Sequence, residues 1–340
     1  MKRAMLVLAA VVVLAGASVA YVVHARDRGP GGVEANTVPV VSGRQLSLRG
    51  PERLLFRNTA AGPDFGRLSS VPSARPDAIR EATGLTCDRF AVSAGTGLCL
   101  TARPDVLPPV TDVLVLGRDL TVRRRLEIPG TPSRARVSPD GKLAYWSLFV
   151  TGDSYAETGF STRAGILEVE TGKLVKTIEE LPVFRDGQRY FASDVNYWGV
   201  TFAPDGNRFY ATLGSKGKTF LVEGDYANYR GRVLRENVEC PSLSPDGKRV
   251  AFKKRVSDDP AAPWRLFVLE LASLKETPLA ETHSVDDQAL WRDDSTILYS
   301  LPRADSGSDV WSVPADGAGT PALLIPHAAS PALSNSGPPM

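Results

Sequence analysis

Ser242-Leu-Ser-Pro-Asp-Gly-Lys-Arg-Val-Ala-Phe252 sets a Pro-Asp-Gly reversal between two short apolar strands. The pattern recurs as Arg136-Val-Ser-Pro-Asp-Gly-Lys-Leu-Ala-Tyr145 and Thr201-Phe-Ala-Pro-Asp-Gly-Asn-Arg-Phe-Tyr210. A degraded copy, Leu290-Trp-Arg-Asp-Asp-Ser-Thr-Ile-Leu-Tyr299, lacks both Pro and Gly. Proline presets φ at about −65° in the first central position, Asp tolerates the next, and Gly takes the positive φ at which the strands reverse. Asp140, Gly141, Asp205, Gly206, Asp246 and Gly247 are thus turn residues. As calcium ligands the three acids would need a compact set, and they lie about one repeat apart. The equivalent Asp140, Asp205, Asp246 and Asp294 are spaced by about 65, 41 and 48 residues. The shorter gaps suit one four-stranded propeller blade, and the longest suits a blade with about 20 inserted residues.

Each hairpin continues into two further strand-like pieces, for example Leu266 to Leu271 and a shorter piece ending near Leu279. Upstream, a blade fits Cys87–Val92, Gly97–Leu100, Asp112–Leu116 and Val122–Ile128; a poorer one surrounds Arg53–Arg57 and Arg67–Ser70. Six blades over Val40 to Ala332 give about 48 residues each. Almost no helical periodicity appears outside the N-terminal run, so the expected fold is all-β, a six-bladed β-propeller over 40–334. An open ring would expose two sheet edges. The tail Pro326 to Ser334 looks like an innermost strand and is expected to pair into the first blade.

Ser-Pro-Asp-Gly-Lys followed by an alternating apolar strand resembles the repeat of TolB-like, WD-repeat-related β-propellers. Ser138 to Lys142 and Ser244 to Lys248 match it fully, and Ala203 to Asn207 matches in its core. The resemblance covers about 290 residues at repeat level. It implies an extracytoplasmic propeller that binds other proteins and has no shared catalytic residues. The sequence departs from the resemblance in showing no obvious separate N-terminal domain before the repeats, so a Tol-type partner is not among the expectations.

Forty basic against 38 acidic residues leave a formal charge of +2, no electrostatic footprint for nucleic acid. Lys2 and Arg3 precede an uncharged apolar run, Ala4 to Val23, about the length that crosses a bilayer. Residues 1–25 are read as a signal-anchor helix; the alternative is a signal peptide cleaved near Ser18-Val19-Ala20. Either delivers the rest outside the cytoplasm, as a single-pass membrane protein or a secreted one. Residues 26–39 read as a Gly/Pro linker and 335–340 as a disordered tail.

Cys87 and Cys99 flank Gly95-Thr96-Gly97 and are read as a disulfide across one hairpin, with the register open. Cys240 is left over on an inner strand, as a buried thiol or a reactive one. Three scattered His (His24, His283, His327), no Gly-x-Ser-x-Gly elbow and no metal-ligand spacing give no expected catalytic residue, metal or cofactor. Only Asp194, Asp286 and Asp287 could line an acidic channel. Arg123-Arg124-Arg125 falls on an outer strand, as a charged edge against sheet association or as a phosphate or anionic-lipid contact. Two segments break the blade rhythm, 151–163 and 181–198. Such insertions map to loops, often on the binding face. The second carries Arg185, Arg189, Tyr190, Tyr197 and Trp198, residue types that binding hot spots favour, although aromatics also wedge blades together. The expected function is a monomeric, non-enzymatic platform for a protein or peptide partner in the cell envelope. The alternatives are a sensor taking a sugar, peptide or ion in the channel, and a hydrolase or lyase.

Overall fold

The chain's computed structural model describes residues 38–48, 51–103, 105–150, 161–304 and 307–334. The apolar run of residues 4–23, the segment 151–160 and the tail 335–340 lie outside the described residues, and with them the expectations placed there. The described residues contain strands and turns and no helix. In chain order β1 (Val40–Val41), β2 (Arg53–Asn58), β3 (Arg67–Pro72) and β4 (Arg80–Thr86) begin the first blade. Blade 2 is β5 (Arg89–Ser93), β6 (Thr96–Arg103), β7 (Val110–Leu116) and β8 (Val122–Pro129). Blade 3 is β9 (Thr131–Val137), β10 (Leu143–Val150), β11 (Ser161–Glu168) and β12 (Leu174–Val175). A hairpin, β13 (Val183–Arg185) and β14 (Gln188–Tyr190), precedes blade 4: β15 (Asn196–Phe202), β16 (Arg208–Ser215), β17 (Lys218–Asp225) and β18 (Arg230–Glu236). Blade 5 is β19 (Glu239–Leu243), β20 (Arg249–Arg255), β21 (Trp264–Glu270) and β22 (Glu276–Pro278). Blade 6 is β23 (Leu290–Trp291), β24 (Thr296–Pro302), β25 (Ser308–Pro314) and β26 (Ala322–Ile325), and β27 (Ala328–Ser334) follows.

Six sheets result, the blades of a propeller. The C-terminal β27 is the innermost strand of blade 1, antiparallel to β2 from Arg53↔Ser334 to Asn58↔Ala328. The first and last parts of the propeller thus share one sheet, and neither leaves an inner edge unpaired. Arg80 secures the return: its guanidinium donates to Asn58 Oδ1 at 2.7 Å, to the His327 carbonyl at 2.9 Å and to the Pro326 carbonyl. Burial lowers its pKa to about 10, with Asp309 pulling the other way.

The cores lie between blades. Alternation along β10 sends Ala144 and Trp146 toward blade 2 and Leu143 and Tyr145 toward blade 4. Both faces of the middle strands are buried, so they read as apolar runs. The remaining interfaces are built likewise, from Leu55 against Phe90 in the first to Leu54 and Phe56 against Leu298 at the closure.

The repeat turns do what their residues dictate. Ser244 accepts the Gly247 N–H at its carbonyl, its hydroxyl accepts the Arg249 N–H, and Asp246 accepts the Lys248 N–H. The Asp140 turn repeats this arrangement. Where Pro and Gly are missing, Asp293 closes the turn by accepting the Ser295 N–H and hydroxyl. The Cys87–Cys99 disulfide is present, with Cα atoms 5.4 Å apart; Cys87 sits just before β5 and Cys99 in the middle of β6. Cys240 is a buried free thiol in β19.

Residues 181–198 are not one surface loop. Val183-Phe-Arg-Asp-Gly-Gln-Arg-Tyr190 forms the β13–β14 hairpin, with Asp186 and Gly187 both at positive φ (51° and 77°), as a two-residue turn demands. It extends blade 4 to six strands by pairing β13 parallel with β18. Residues 161–163, assigned in sequence to the first insertion, belong to β11.

Two predictions follow from these contacts. Ending the chain at Pro326 is expected to lower the thermal midpoint by more than ten degrees or to prevent folding, since it strips the inner edge of blade 1 and the His327 carbonyl that Arg80 holds; an unchanged midpoint in a thermal melt would sink the closure. Gly141 and Gly247 share a positive φ (74° and 68°), so either change to Ala costs roughly 1–2 kcal/mol. A Cβ on Gly141 would in addition meet Thr96 Oγ1 at 3.0 Å and the Ser93 carbonyl at 3.2 Å, whereas one on Gly247 meets nothing within 4 Å. Denaturant titration should show the larger loss for Gly141→Ala; equal losses would contradict the packing of neighbouring turns.

Candidate functional site

Two regions place polar and aromatic side chains where a ligand could meet them, the outer edge of blade 4 and the axis of the ring. At the outer edge, β13 carries Arg185 and β14 carries Arg189 and Tyr190. The Arg185 guanidinium lies 4.9 Å from the Phe220 ring centroid, and Arg189 lies 4.4 Å from that of Phe191. Phe191 is 69% exposed. Tyr190 turns inward and donates its hydroxyl to Ser215 Oγ at 2.9 Å; that Ser215 donates in turn to Asp194 at 2.6 Å. Asp194, a candidate channel acid, therefore caps the turn after β16.

Tyr197 and Trp198 do not join this group. Both lie in β15, the innermost strand of blade 4, fully or nearly fully buried. The Trp198 ring covers Gly214, so its neighbourhood is the blade interior. Segment alternation hid this, because an aromatic run at the end of an insertion reads equally as the first core strand. Among the five candidates, Arg185, Arg189 and Tyr190 come together and the other two do not.

Beneath the hairpin is a cleft of about 390 Å³, counting its open mouth, lined among others by Glu179, Leu181, Val183, Arg189, Tyr190 and Phe191. Both Glu179 carboxylate oxygens are buried and make no hydrogen bond. Burial pushes this carboxyl up to about 7; the Tyr197 and Ala164 amides oppose it without reaching hydrogen-bond geometry.

At the axis, β5, β9 and β27 meet the segment leading into β23. Arg89, Arg134 and Arg136 line a recess there with Asp287, Gln288 and Ser330, with an empty volume of about 290 Å³ including its mouth. The two arginines of β9 reach across to the approach of blade 6: Arg136 donates to the Ala289 carbonyl at 2.6 Å, and Arg134 pairs with Asp286 at 3.2 Å. Asp286 also takes Lys253, at 2.6 Å. Asp287 accepts the Gln288 and Ser300 amides at 2.9 and 3.0 Å. The two acids noted in the sequence thus reach the channel, where cations and amides already engage them. The channel arginines were missed, although Arg134 and Arg136 at i and i+2 on an inner strand share a face.

Elsewhere, Arg123 packs over Gly117 and Arg124 over Gly172, while Arg125 pairs with Asp112 at 3.1 Å. His283 is exposed and holds Glu281 at 2.7 Å through Nδ1. Among the described residues, no cluster of three or more His, Cys, Asp or Glu is placed to hold a metal ion.

The Glu179 carboxyl gives a testable pH dependence. Its proton is held more tightly in the native state than in the unfolded chain, where it leaves near the ordinary value of 4.5. Its stabilising contribution is therefore full below about pH 4.5 and lost as pH rises through about 7. Glu179→Gln should flatten that slope and, at pH 8, leave the protein more stable than wild type by on the order of 2 kcal/mol in urea titrations. A variant with the wild-type slope would contradict the burial of this carboxyl.

No protein-family model matches the sequence, and no curated protein matches it significantly. Among solved structures, the chain is similar to TolB from Acinetobacter baumannii, at 14% identity over 85% of this chain and 67% of that one, with a TM-score of 0.56. It is similar to a chain of a nidogen/laminin complex at 11% identity, over 84% and 99% of the two chains, with a TM-score of 0.54. A puromycin-hydrolysing peptidase of Mycobacterium tuberculosis matches at 15% identity over 85% of this chain and 46% of its own, with a TM-score of 0.50. At these identities the likeness is one of fold. Together with the closed ring of six sheets and the Pro-Asp-Gly hairpins, it makes this chain a six-bladed β-propeller of TolB-like fold.

Proposed function

We propose that this propeller is a non-enzymatic binding platform of the bacterial cell envelope, docking an acidic segment of a protein or peptide partner on the outer edge of blade 4. The observation that carries the reading is the β13–β14 hairpin, which adds two strands to one blade and holds Arg189 and Phe191 out in solvent. Among the described residues Arg189 makes no ion pair, and Arg185 has only distant ones, 3.7 Å to Asp186 and 3.9 Å to Glu236. Arginine and aromatic side chains beside a cleft are what interface hot spots favour, and a guanidinium group without a close carboxylate favours an acidic partner. The short outer strand β14 also offers free backbone groups along a sheet edge. The fold shared with TolB supports a binding role; the peptidase likeness draws the other way. Against an enzyme stand the commitments of Asp194, Asp286 and Asp287 to turns, amides and ion pairs. Residues 1–25 would hold or deliver the propeller outside the cytoplasm. A second reading, a sensor of a small ligand in the channel, draws on the arginine-lined recess.

The test places a photo-crosslinking residue at position 189 or 191 of the full-length chain in its native envelope, and at exposed position 122 on β8 as control. One protein is expected to crosslink from 189 and 191 and not from 122. Arg185→Ala with Arg189→Ala should weaken that partner's binding about tenfold or more without shifting the thermal midpoint. Identical adducts from all three positions, or none from 189 and 191, would overturn the reading.

A further inference from the structure

The recess at the axis holds polar groups that the protein itself does not satisfy. The Arg89 side chain makes no hydrogen bond or ion pair among the described residues, yet its pKa is lowered, first by burial and then by repulsion from Arg134. Arg134 is 7% exposed, and its Nε is buried with no partner. Gln288 is 6% exposed; its Nε2 donates to the Val200 and Pro241 carbonyls at 3.1 and 2.8 Å, which fixes the amide's orientation. That leaves Gln288 Oε1 buried and without a donor.

Charge tells the same story. Arg89, Arg134, Arg136 and Lys253 gather around Asp286, Asp287 and Glu239, four cations to three carboxylates; Asp88, the further acid that Arg89 feels, is paired with Arg57 at 3.4 Å. Lys253 is held by Asp286 and by Glu239 at 3.7 Å, and Arg136 is occupied by backbone carbonyls. Arg89 is the cation in excess. A buried donor without an acceptor, a buried acceptor without a donor and one surplus positive charge are costly to maintain in a low-dielectric channel unless a ligand offsets them.

We propose that this recess is a binding site for a small monoanion that also carries a hydroxyl group, of the 2-hydroxycarboxylate class. The carboxylate accepts from Arg89 and from Nε of Arg134, and the hydroxyl donates to Gln288 Oε1. A single negative charge matches the single excess cation, and the enclosed part of the recess is no larger than a small polar group, so the rest of the ligand lies in its open mouth. The site is separate from the blade-4 edge and does not depend on partner docking there.

The test is calorimetric titration of the full-length protein with glycolate, acetate and inorganic phosphate. Glycolate is expected to saturate one site per chain, with acetate about fivefold weaker because it leaves Gln288 Oε1 unpaired. Arg89→Gln should weaken glycolate at least about tenfold, while the ligand-free thermal midpoint stays the same or rises as repulsion is relieved. A merely structural Arg89 would instead lower that midpoint. The proposal fails if glycolate shows no saturable binding at tens of millimolar, if Arg89→Gln binds as wild type does, or if acetate equals glycolate. Phosphate binding more tightly than glycolate would overturn the hydroxycarboxylate assignment.

Discussion

The antiparallel pairing of β27 with β2 is the constraint on which the rest of the propeller depends. It joins residues as far apart as Arg53 and Ser334, whose side-chain oxygen accepts the Arg53 N–H at 3.0 Å. Until it forms, blade 1 lacks its innermost strand and the interface between blades 6 and 1 lacks Ala328 and Leu333. Closing so long a loop costs conformational entropy that no neighbouring contact offsets in advance. Arg80 works at this seam, tying the outer part of blade 1 to the carbonyls through which the chain enters β27.

Closure also decides where chemistry can sit. The faces of every blade are consumed by packing against neighbours, with alternate residues of one strand serving opposite interfaces. Polar side chains that are not turn residues are then left with two addresses, the axis and the outer edges. Arg134 and Arg136 occupy the first, where the convergence of inner strands lets a side chain of blade 3 reach the approach to blade 6. The β13–β14 hairpin occupies the second, beyond β18, where additional strands disturb no packed interface. Glu179 lies under that hairpin, its carboxylate enclosed by an insertion that the other blades lack.

The parts legible in the sequence are those governed by local rules. Pro-Asp-Gly at residues 139–141, 204–206 and 245–247 requires only its neighbours to form a turn, and three blades could be phased from it. Blade 1 was faint because its innermost strand comes from the opposite end of the chain; the tail could be assigned to it only from the need to leave no sheet edge open. The hairpin at Val183–Tyr190 was readable: Asp186-Gly187 between alternating residues is a strong two-residue turn signal, masked by treating the whole insertion as one loop. Tyr197 and Trp198 were misplaced for a related reason, since nothing local marks where an insertion ends and an inner strand begins. The role of Arg89 was invisible, because its isolation depends on how the cations and acids of four strands and the segment before β23 divide among themselves.

Hydrogen exchange followed by mass spectrometry on the full-length chain tests the closure most directly. If β27 completes blade 1, amides of residues 328–334 exchange as slowly as those of β2 and β3, in one cooperative unit opened only by global unfolding. Rapid exchange across 328–334 while β2 and β3 stay protected would mean that the ring is held by packing alone, and would contradict the account.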